Sequence, residues 1–175
     1  MQKINDIWIP DENFDLSTNG LKKWILFCKL QYKKFKTVID CDAQYGIWSR
    51  SMRHYAKKII SFENNKSYVP YCEKNTAPHN NIDFRKQILN DSVQPPQTFT
   101  IDYFNWSDVE LIKINSANTI RVFSGAPKTL GQNDENQSNV KFVYIENINN
   151  DVDTFVKSLK YKMILDNNPD RVYYK

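Results

Sequence analysis

Glycine is scarce in this chain of 175 residues, at 4, which excludes collagen-like and flexible-linker sequences. The 2 histidines are too few for a histidine-rich metal centre. The 3 cysteines, Cys28, Cys41 and Cys72, lie far apart. An odd count without a C-x-x-C pair argues against a disulfide framework and against a zinc site, and points to a reducing, cytoplasmic compartment. Long hydrophobic runs are missing too. Trp24-Ile25-Leu26-Phe27-Cys28 falls far short of the roughly 18 apolar residues of a membrane span, so no membrane partner is expected. Met1 to Asp6 lack the apolar core of a signal peptide. A strong charge of one sign is also absent. Lys+Arg 24 against Asp+Glu 20 leaves +4, and most of the basic residues are Lys. Nucleic acid is therefore not the expected partner.

What remains is 41% hydrophobic, 14% aromatic and 25% charged, a balance that suits one soluble globular domain over 1–175. The richness in Asn, Lys, Ile and Tyr is the bias of an AT-rich genome. Ile7-Trp8-Ile9-Pro10-Asp11 reads as a short edge strand or turn. Thr18 or Asn19 would cap a helix running to about Tyr32, with Leu21, Trp24, Ile25, Cys28 and Leu30 on its apolar side. Residues 1–36 are thus an N-terminal extension with a helix.

From 37 to 175 strands and helices alternate. Thr37–Cys41, Lys58–Phe62, Ile82–Arg85, Leu111–Ile114 and Phe142–Glu146 read as strands. Ile47 to about Ala56, Ser67–Asn75 with Ser67 as cap, Thr119–Phe123 and Asp151–Leu159 read as helices. Tyr161–Leu165 and Val172–Tyr174 would close the chain as a hairpin around Asn167 to Asp170. Gly131 to Asn139 reads as a polar surface loop. This is an α/β fold with a mainly parallel sheet and an antiparallel C-terminal hairpin.

In such a sheet ligands bind at the carboxyl ends of the strands, near the switch in strand order. The first core strand ends at Asp40, and the turn Cys41 to Gly46 leads at once into a helix. The second strand ends at Phe62-Glu63, where a carboxylate can accept both hydroxyls of a ribose. The interval from Asp40 to Glu63 matches the roughly 20 residues of a nucleotide-binding unit. The same residues also admit structural roles. Asp40 would then cap the helix, Gly46 would relax a turn, and Glu63 would be a solvated loop acid.

The run Thr37-Val-Ile-Asp-Cys-Asp-Ala-Gln-Tyr-Gly-Ile-Trp-Ser49 resembles the first motif, V-I-D-V-G-A-x-x-G-x-W-S, of FkbM-type S-adenosylmethionine-dependent methyltransferases. Lys58-Ile-Ile-Ser-Phe-Glu-Asn64 is similar to that family's V-x-x-F-E-P, and Gln87-Ile-Leu-Asn-Asp-Ser92 to its A-L-S-D. Thr100-Ile-Asp-Tyr-Phe104 with Val109-Glu-Leu-Ile-Lys-Ile114 is similar to T-L-D-x-F…V-D-L-I-K-I, and Val122 to Leu130 to V-L-x-G-A-x-x-T-L. The opening Ile7–Asp11 and the ending Asp170–Tyr174 look most like short phage-encoded members. The resemblance spans nearly the whole chain and keeps its order. It implies a Rossmann-like methyltransferase fold, S-adenosylmethionine as cofactor, and methyl transfer, on oxygen, to a small-molecule or sugar acceptor. It implies that Asp40, Asp42, Ala43, Gln44, Tyr45 and Gly46 cradle the methionine part and that Glu63 and Asn64 face the ribose. Leu89, Asn90 and Asp91 would lie beside the adenine, and Asn115 would stand where the family's strand-four acid faces the active centre.

Two departures fall at the site. Asp42 replaces a glycine, adding a side chain and a negative charge beside the place of the cofactor's carboxylate. Asn115-Ser116-Ala117-Asn118 replaces D-V-E-G-x-E, with one residue deleted before Gly125 relative to the family pattern. An amide cannot act as a general base at neutral pH. The alternative is therefore a non-catalytic module of the same fold, serving as a binding or structural protein, with a protein partner.

Other residues read as structural. Arg50, Arg53, His54, Lys57 and Lys58 suit a solvated face. Tyr103, Phe104 and Trp106 suit edge packing. His79 suits the surface, and Cys41 suits the core.

Overall fold

The computed structural model describes residues 1–4, 6–10, 19–31, 34–132, 140–167 and 169–175. The expectations for Thr18, Tyr32, the polar loop from 133 to Asn139, and Asn168 fall outside the described residues. Two short strands, β1 (Gln2–Ile4) and β2 (Ile7–Ile9), pair antiparallel, so the edge strand expected at Ile7 has a partner on its own N-terminal side. Helix α1 (Asn19–Gln31) follows. Then come β3 (Phe35–Cys41), α2 (Ile47–Met52), β4 (Ala56–Phe62), α3 (Val69–Thr76) and β5 (Ile82–Arg85). A small parallel pair, β6 (Ile88–Leu89) and β7 (Thr98–Phe99), leads to β8 (Val109–Asn115) and α4 (Ser116–Ser124). The chain closes through β9 (Phe142–Glu146), α5 (Asn150–Ser158), β10 (Lys162–Asn167) and β11 (Asp170–Tyr174).

Seven strands form one sheet in the order β10-β11-β9-β8-β3-β4-β5. The five from β9 to β5 are parallel, and β11 joins β9 and β10 antiparallel. The parallel strands β3, β4 and β8 are buried on both faces, which is why they read as continuous apolar runs. Successive side chains still alternate between faces. Val38, Ile59, Leu111, Phe142 and Tyr144 pack with Trp24 and Cys28 of α1 and with Trp48 and Met52 of α2. Ile39, Ile60, Ile112, Val143 and Ile145 pack with Val122 and Phe123 of α4 and with Val152 and Val156 of α5. Trp24 is fully buried, with Phe27, Phe35, Phe142 and Tyr144 at ring-centroid distances of 5.3 to 6.1 Å. Truncating a tryptophan so packed costs about 3–5 kcal/mol.

Local chemistry corrects several boundaries. The second helix stops at Met52 and not near Ala56, because Ala56 already pairs with Phe35 as the first residue of β4. Ser67 does not cap α3. Asn65 Oδ1 accepts the Ser67 amide at 2.9 Å, and Tyr68 opens the helix without a side-chain cap. The fourth helix begins at Ser116, ahead of the expected Thr119, because Asn115 caps it by accepting the Ala117 amide at 3.2 Å. Gly125 ends that helix where a Cβ would stand 2.2 Å from the Asn90 carbonyl oxygen. The bare backbone there lets the 88–90 segment press against the end of α4.

From β3 the chain builds outward through β4 to β5, then returns on the other side of β3 as β8. The switch in strand order therefore lies between β3 and β8. Above their carboxyl ends is the crevice where α/β sheets take ligands.

Candidate functional site

The turn after β3 is tightly wound. Asp42, Gln44 and Gly46 all have left-handed backbones, with φ of 56, 50 and 73°. Asp is among the residues that tolerate this region, which explains how it stands where the resembled family has glycine. At Gly46 a Cβ would lie 3.1 Å from both Cys72 Sγ and Thr76 Cγ2. That glycine is required by the approach of α3 as well as by its φ. Three turn amides are committed within the protein. Ala43 N–H donates to the Phe62 carbonyl at 2.9 Å and Gly46 N–H to the Ala43 carbonyl at 2.8 Å. Gln44 N–H donates to Glu63 Oε2 at 2.9 Å.

Glu63 directly follows β4 and is 8% exposed. Its Oε1 accepts the Asn65 amide at 2.7 Å. Two backbone donors thus fix the carboxylate, and each oxygen keeps a lone pair for a further donor. Asn64 beside it is exposed. Tyr45 stands edge-on to Tyr68 and Tyr71, at 4.9 and 5.4 Å between centroids. Leu89 is buried in the core. The Asn90 amide donates to the Phe99 carbonyl at 2.8 Å, and Asp91 forms a long, exposed pair with Arg121 at 3.7 Å. A cavity of about 380 Å³ lies beyond the end of β5, lined by Arg85, Lys86, Gln87, Pro96 and Phe104. Arg85 adjoins Glu63 in the chain's pairing, its carbonyl accepting the Glu63 amide at 3.1 Å.

The centre of the crevice is held by a lysine that the sequence reading did not single out. Lys113, on β8, is 1% exposed. Its Nζ lies 3.0 Å from Asp40 Oδ1 and 3.0 Å from Glu146 Oε2, and donates to the Asp42 carbonyl at 3.0 Å. Burial works against the ammonium, but the Asp40 and Glu146 charges outweigh it and hold the pKa well above the ordinary lysine value. A cation inside the otherwise apolar run Leu111 to Ile114 was the available signal, since a buried lysine demands carboxylate partners. Asp40 does not cap α2. It is fully buried and accepts the Ser49 hydroxyl at 2.6 Å.

Asp42 points across the crevice. Its Oδ2 accepts the Asn118 side-chain amide of α4 at 2.9 Å. Among the described residues its carboxylate forms no ion pair. Burial raises its pKa, against the Asn118 bond and the Lys113 charge, which lower it. Asn115 spends its side-chain oxygen on capping α4. Burial pushes the Cys41 thiol well up, in keeping with a core role, and His54 is exposed. Phe104 and Trp106 stack at 4.5 Å, and the Arg85 guanidinium lies 4.9 Å from the Phe104 centroid, an edge cluster. Among the described residues no group of His, Cys, Asp and Glu could hold a metal ion, and no helix is long and apolar enough to cross a membrane.

The donor set can be tested against an adenosyl cofactor. At the nucleoside end it fits, because the carboxylate of Glu63 is fixed in place and retains accepting capacity for ribose hydroxyls. At the amino-acid end the turn amides of Ala43, Gln44 and Gly46 are already donating. The same turn carries the Asp42 carboxylate, a group whose charge suits an ammonium and not a carboxylate.

No family model matches the sequence, and no curated protein matches it. Solved structures do. A precorrin-6y C5,15-methyltransferase from Geobacter metallireducens superposes with a TM-score of 0.61 at 13% identity, over 97% of this chain and 98% of that one. An rRNA methylase from Streptococcus thermophilus gives 0.60 at 10% identity, over 91% and 96%. The N-methyltransferase NodS from Bradyrhizobium japonicum, in complex with S-adenosylhomocysteine, gives 0.55 at 6%, over 95% and 93%. The chain has the Rossmann-like fold of these methyltransferases: a mostly parallel seven-stranded sheet closed by an antiparallel hairpin. At such identities the likeness is one of fold.

Proposed function

We propose that the chain is an S-adenosylmethionine-dependent methyltransferase of FkbM type, working as one domain and transferring a methyl group to an oxygen of a small molecule or sugar. The observation that carries this reading is Glu63, fixed by the Gln44 and Asn65 amides at the carboxyl end of β4 beside the switch point. There it holds the ribose, with Asn64 at its side. Leu89, Asn90 and Asp91 flank the adenine, and the turn from Asp40 to Gly46 borders the methionine part. S-adenosylmethionine, when bound, supplies an electrophilic methyl group. The chain's own contribution is orientation. Asn115 caps α4 and offers no base, so the acceptor has to be nucleophilic already, and rate comes from proximity. Three buried cysteines suit a reducing cytoplasm, that of the host for a phage-borne gene.

A second reading, a non-catalytic module that binds a protein partner, is favoured by one observation. The hydrogen bond from Asn118 to Asp42 spans the crevice between β3 and β8. Calorimetric titration with S-adenosylmethionine and S-adenosylhomocysteine separates the two. The enzyme reading expects micromolar binding, weakened more than roughly tenfold in Glu63→Ala by loss of charged hydrogen bonds. Absence of binding at millimolar ligand, from folded protein, overturns it in favour of the partner-binding role.

A further inference from the structure

The two aspartates of the turn are differently placed. Asp40 is charge-paired: it is fully buried, accepts the Ser49 hydroxyl through Oδ2 and is ion-paired with Lys113 through Oδ1. Asp42 is not. Its backbone is left-handed, and among the described residues its carboxylate is met by the neutral side-chain amide of Asn118 on α4 and by no cation. The Lys113 ammonium reaches the Asp42 carbonyl and is shared between Asp40 and Glu146. A partly buried carboxylate without its own cation favours a cationic ligand group and disfavours an anionic one. The amides of Ala43, Gln44 and Gly46, which would otherwise receive a carboxylate, already donate to Phe62, Glu63 and Ala43.

Resting on the nucleoside reading above and deepening it, we propose that Asp42 determines the specificity of the site: it takes an ammonium at the far end of the nucleoside's 5′ substituent and turns a carboxylate away. The favoured ligand class is a 5′-thio- or 5′-sulfonium adenosine whose side arm carries an amine and no acid. S-adenosylmethionine, which carries both groups, is held through its ammonium. Asn118 is the positioning residue, since its amide fixes the direction of the Asp42 carboxylate.

The test is calorimetry on the intact chain with three thioethers. 5′-Methylthioadenosine reads the nucleoside end alone. S-adenosylhomocysteine adds an ammonium and a carboxylate, and its decarboxylated analogue adds the ammonium only. The expected order places the decarboxylated analogue first, roughly tenfold or more tighter than S-adenosylhomocysteine. In Asp42→Asn, which keeps an acceptor for Asn118, the two should converge to within about threefold, while 5′-methylthioadenosine is unchanged and certifies the fold. If that variant does not fold, the ranking in the parent protein decides. S-adenosylhomocysteine binding as tightly as the amine, with 5′-methylthioadenosine still bound, overturns the role of Asp42 and leaves the nucleoside reading standing. Failure of all three ligands overturns both.

Discussion

Replacing Lys113 with methionine removes the cation that stands between Asp40 and Glu146 while keeping the length and most of the volume of the side chain. Two carboxylate oxygens lie 3.0 Å from Nζ. At an effective dielectric of about 20, each such pair is worth about 5 kcal/mol before desolvation is subtracted. Desolvation of the ammonium takes back several kcal/mol, so the pair contributes little beyond an apolar replacement of all three groups. Breaking it from one side is different. Asp40 is 0% exposed, and with Glu146 it would be left without a counter-charge. The expected cost is about 3–5 kcal/mol, a large part of the roughly 5–15 kcal/mol that holds a domain folded. In urea titration, with a slope of about 2 kcal/mol/M, the midpoint should fall by roughly 1.5–2.5 M. The loss should be smaller in mild acid, because burial already raises the Glu146 carboxyl and, without the ammonium that opposes this, Glu146 of the folded variant takes up a proton before the unfolded chain does. Adding Asp40→Asn and Glu146→Gln should recover much of it. A Lys113→Met loss below about 1 kcal/mol would refute the assignment of Lys113 as the charge that makes burial of Asp40 tolerable.

Two further predictions concern titrating groups. Burial raises the Asp42 carboxyl, so on raising the pH from acid the unfolded chain loses its proton first and stability declines across that interval. Asp42→Asn lacks this penalty. The variant's urea midpoint relative to the parent should therefore be more favourable at about pH 7 than at about pH 3.5, and the reverse order would contradict the shift. All three cysteines are buried, and burial pushes the Cys28 thiol up to about 12 and those of Cys41 and Cys72 well up. A thiolate-selective reagent should label none of them in the native protein and all three in denaturant, and fast native labelling would show that a core face opens.

The central parallel strands β3, β4 and β8 were legible because each is buried on both faces and so had to be written largely in apolar, β-branched residues, as in Val38-Ile39 and Ile59-Ile60. Glu63 was legible from its place at a strand end. The N-terminal hairpin β1–β2 was only half legible. Its strands are three residues long, too short for alternation to register, and its attachment comes from Asn75, 67 residues away. The pair β6–β7 escaped for the same reason, and depends on the missing side chain of Gly125. Lys113 was read as part of a strand and not as the hub of a charge cluster. Its partners Asp40 and Glu146 become neighbours only when β3, β8 and β9 align. The bond between Asp42 and Asn118 joins residues 76 apart. No local pattern announces it.

Asn75 is fully buried, and its side chain makes three hydrogen bonds to two distant segments. Its oxygen takes the Trp8 amide at 2.7 Å, and its nitrogen donates to the Trp8 carbonyl at 2.9 Å and the Tyr45 carbonyl at 2.8 Å. Lys74, on the same helix as Asn75, holds its ammonium 4.2 Å from the centroid of the Trp8 ring on β2. The β1–β2 hairpin is therefore clasped through Asn75 of α3 to the turn that follows β3. Peeling Trp8 away strands a buried amide, at about 1–3 kcal/mol, and slackens the hold on Tyr45 in the same event. In hydrogen exchange, the Trp8 amide and the amides of the 43–46 turn should open as one unit, at one shared rate set by the N-terminal hairpin.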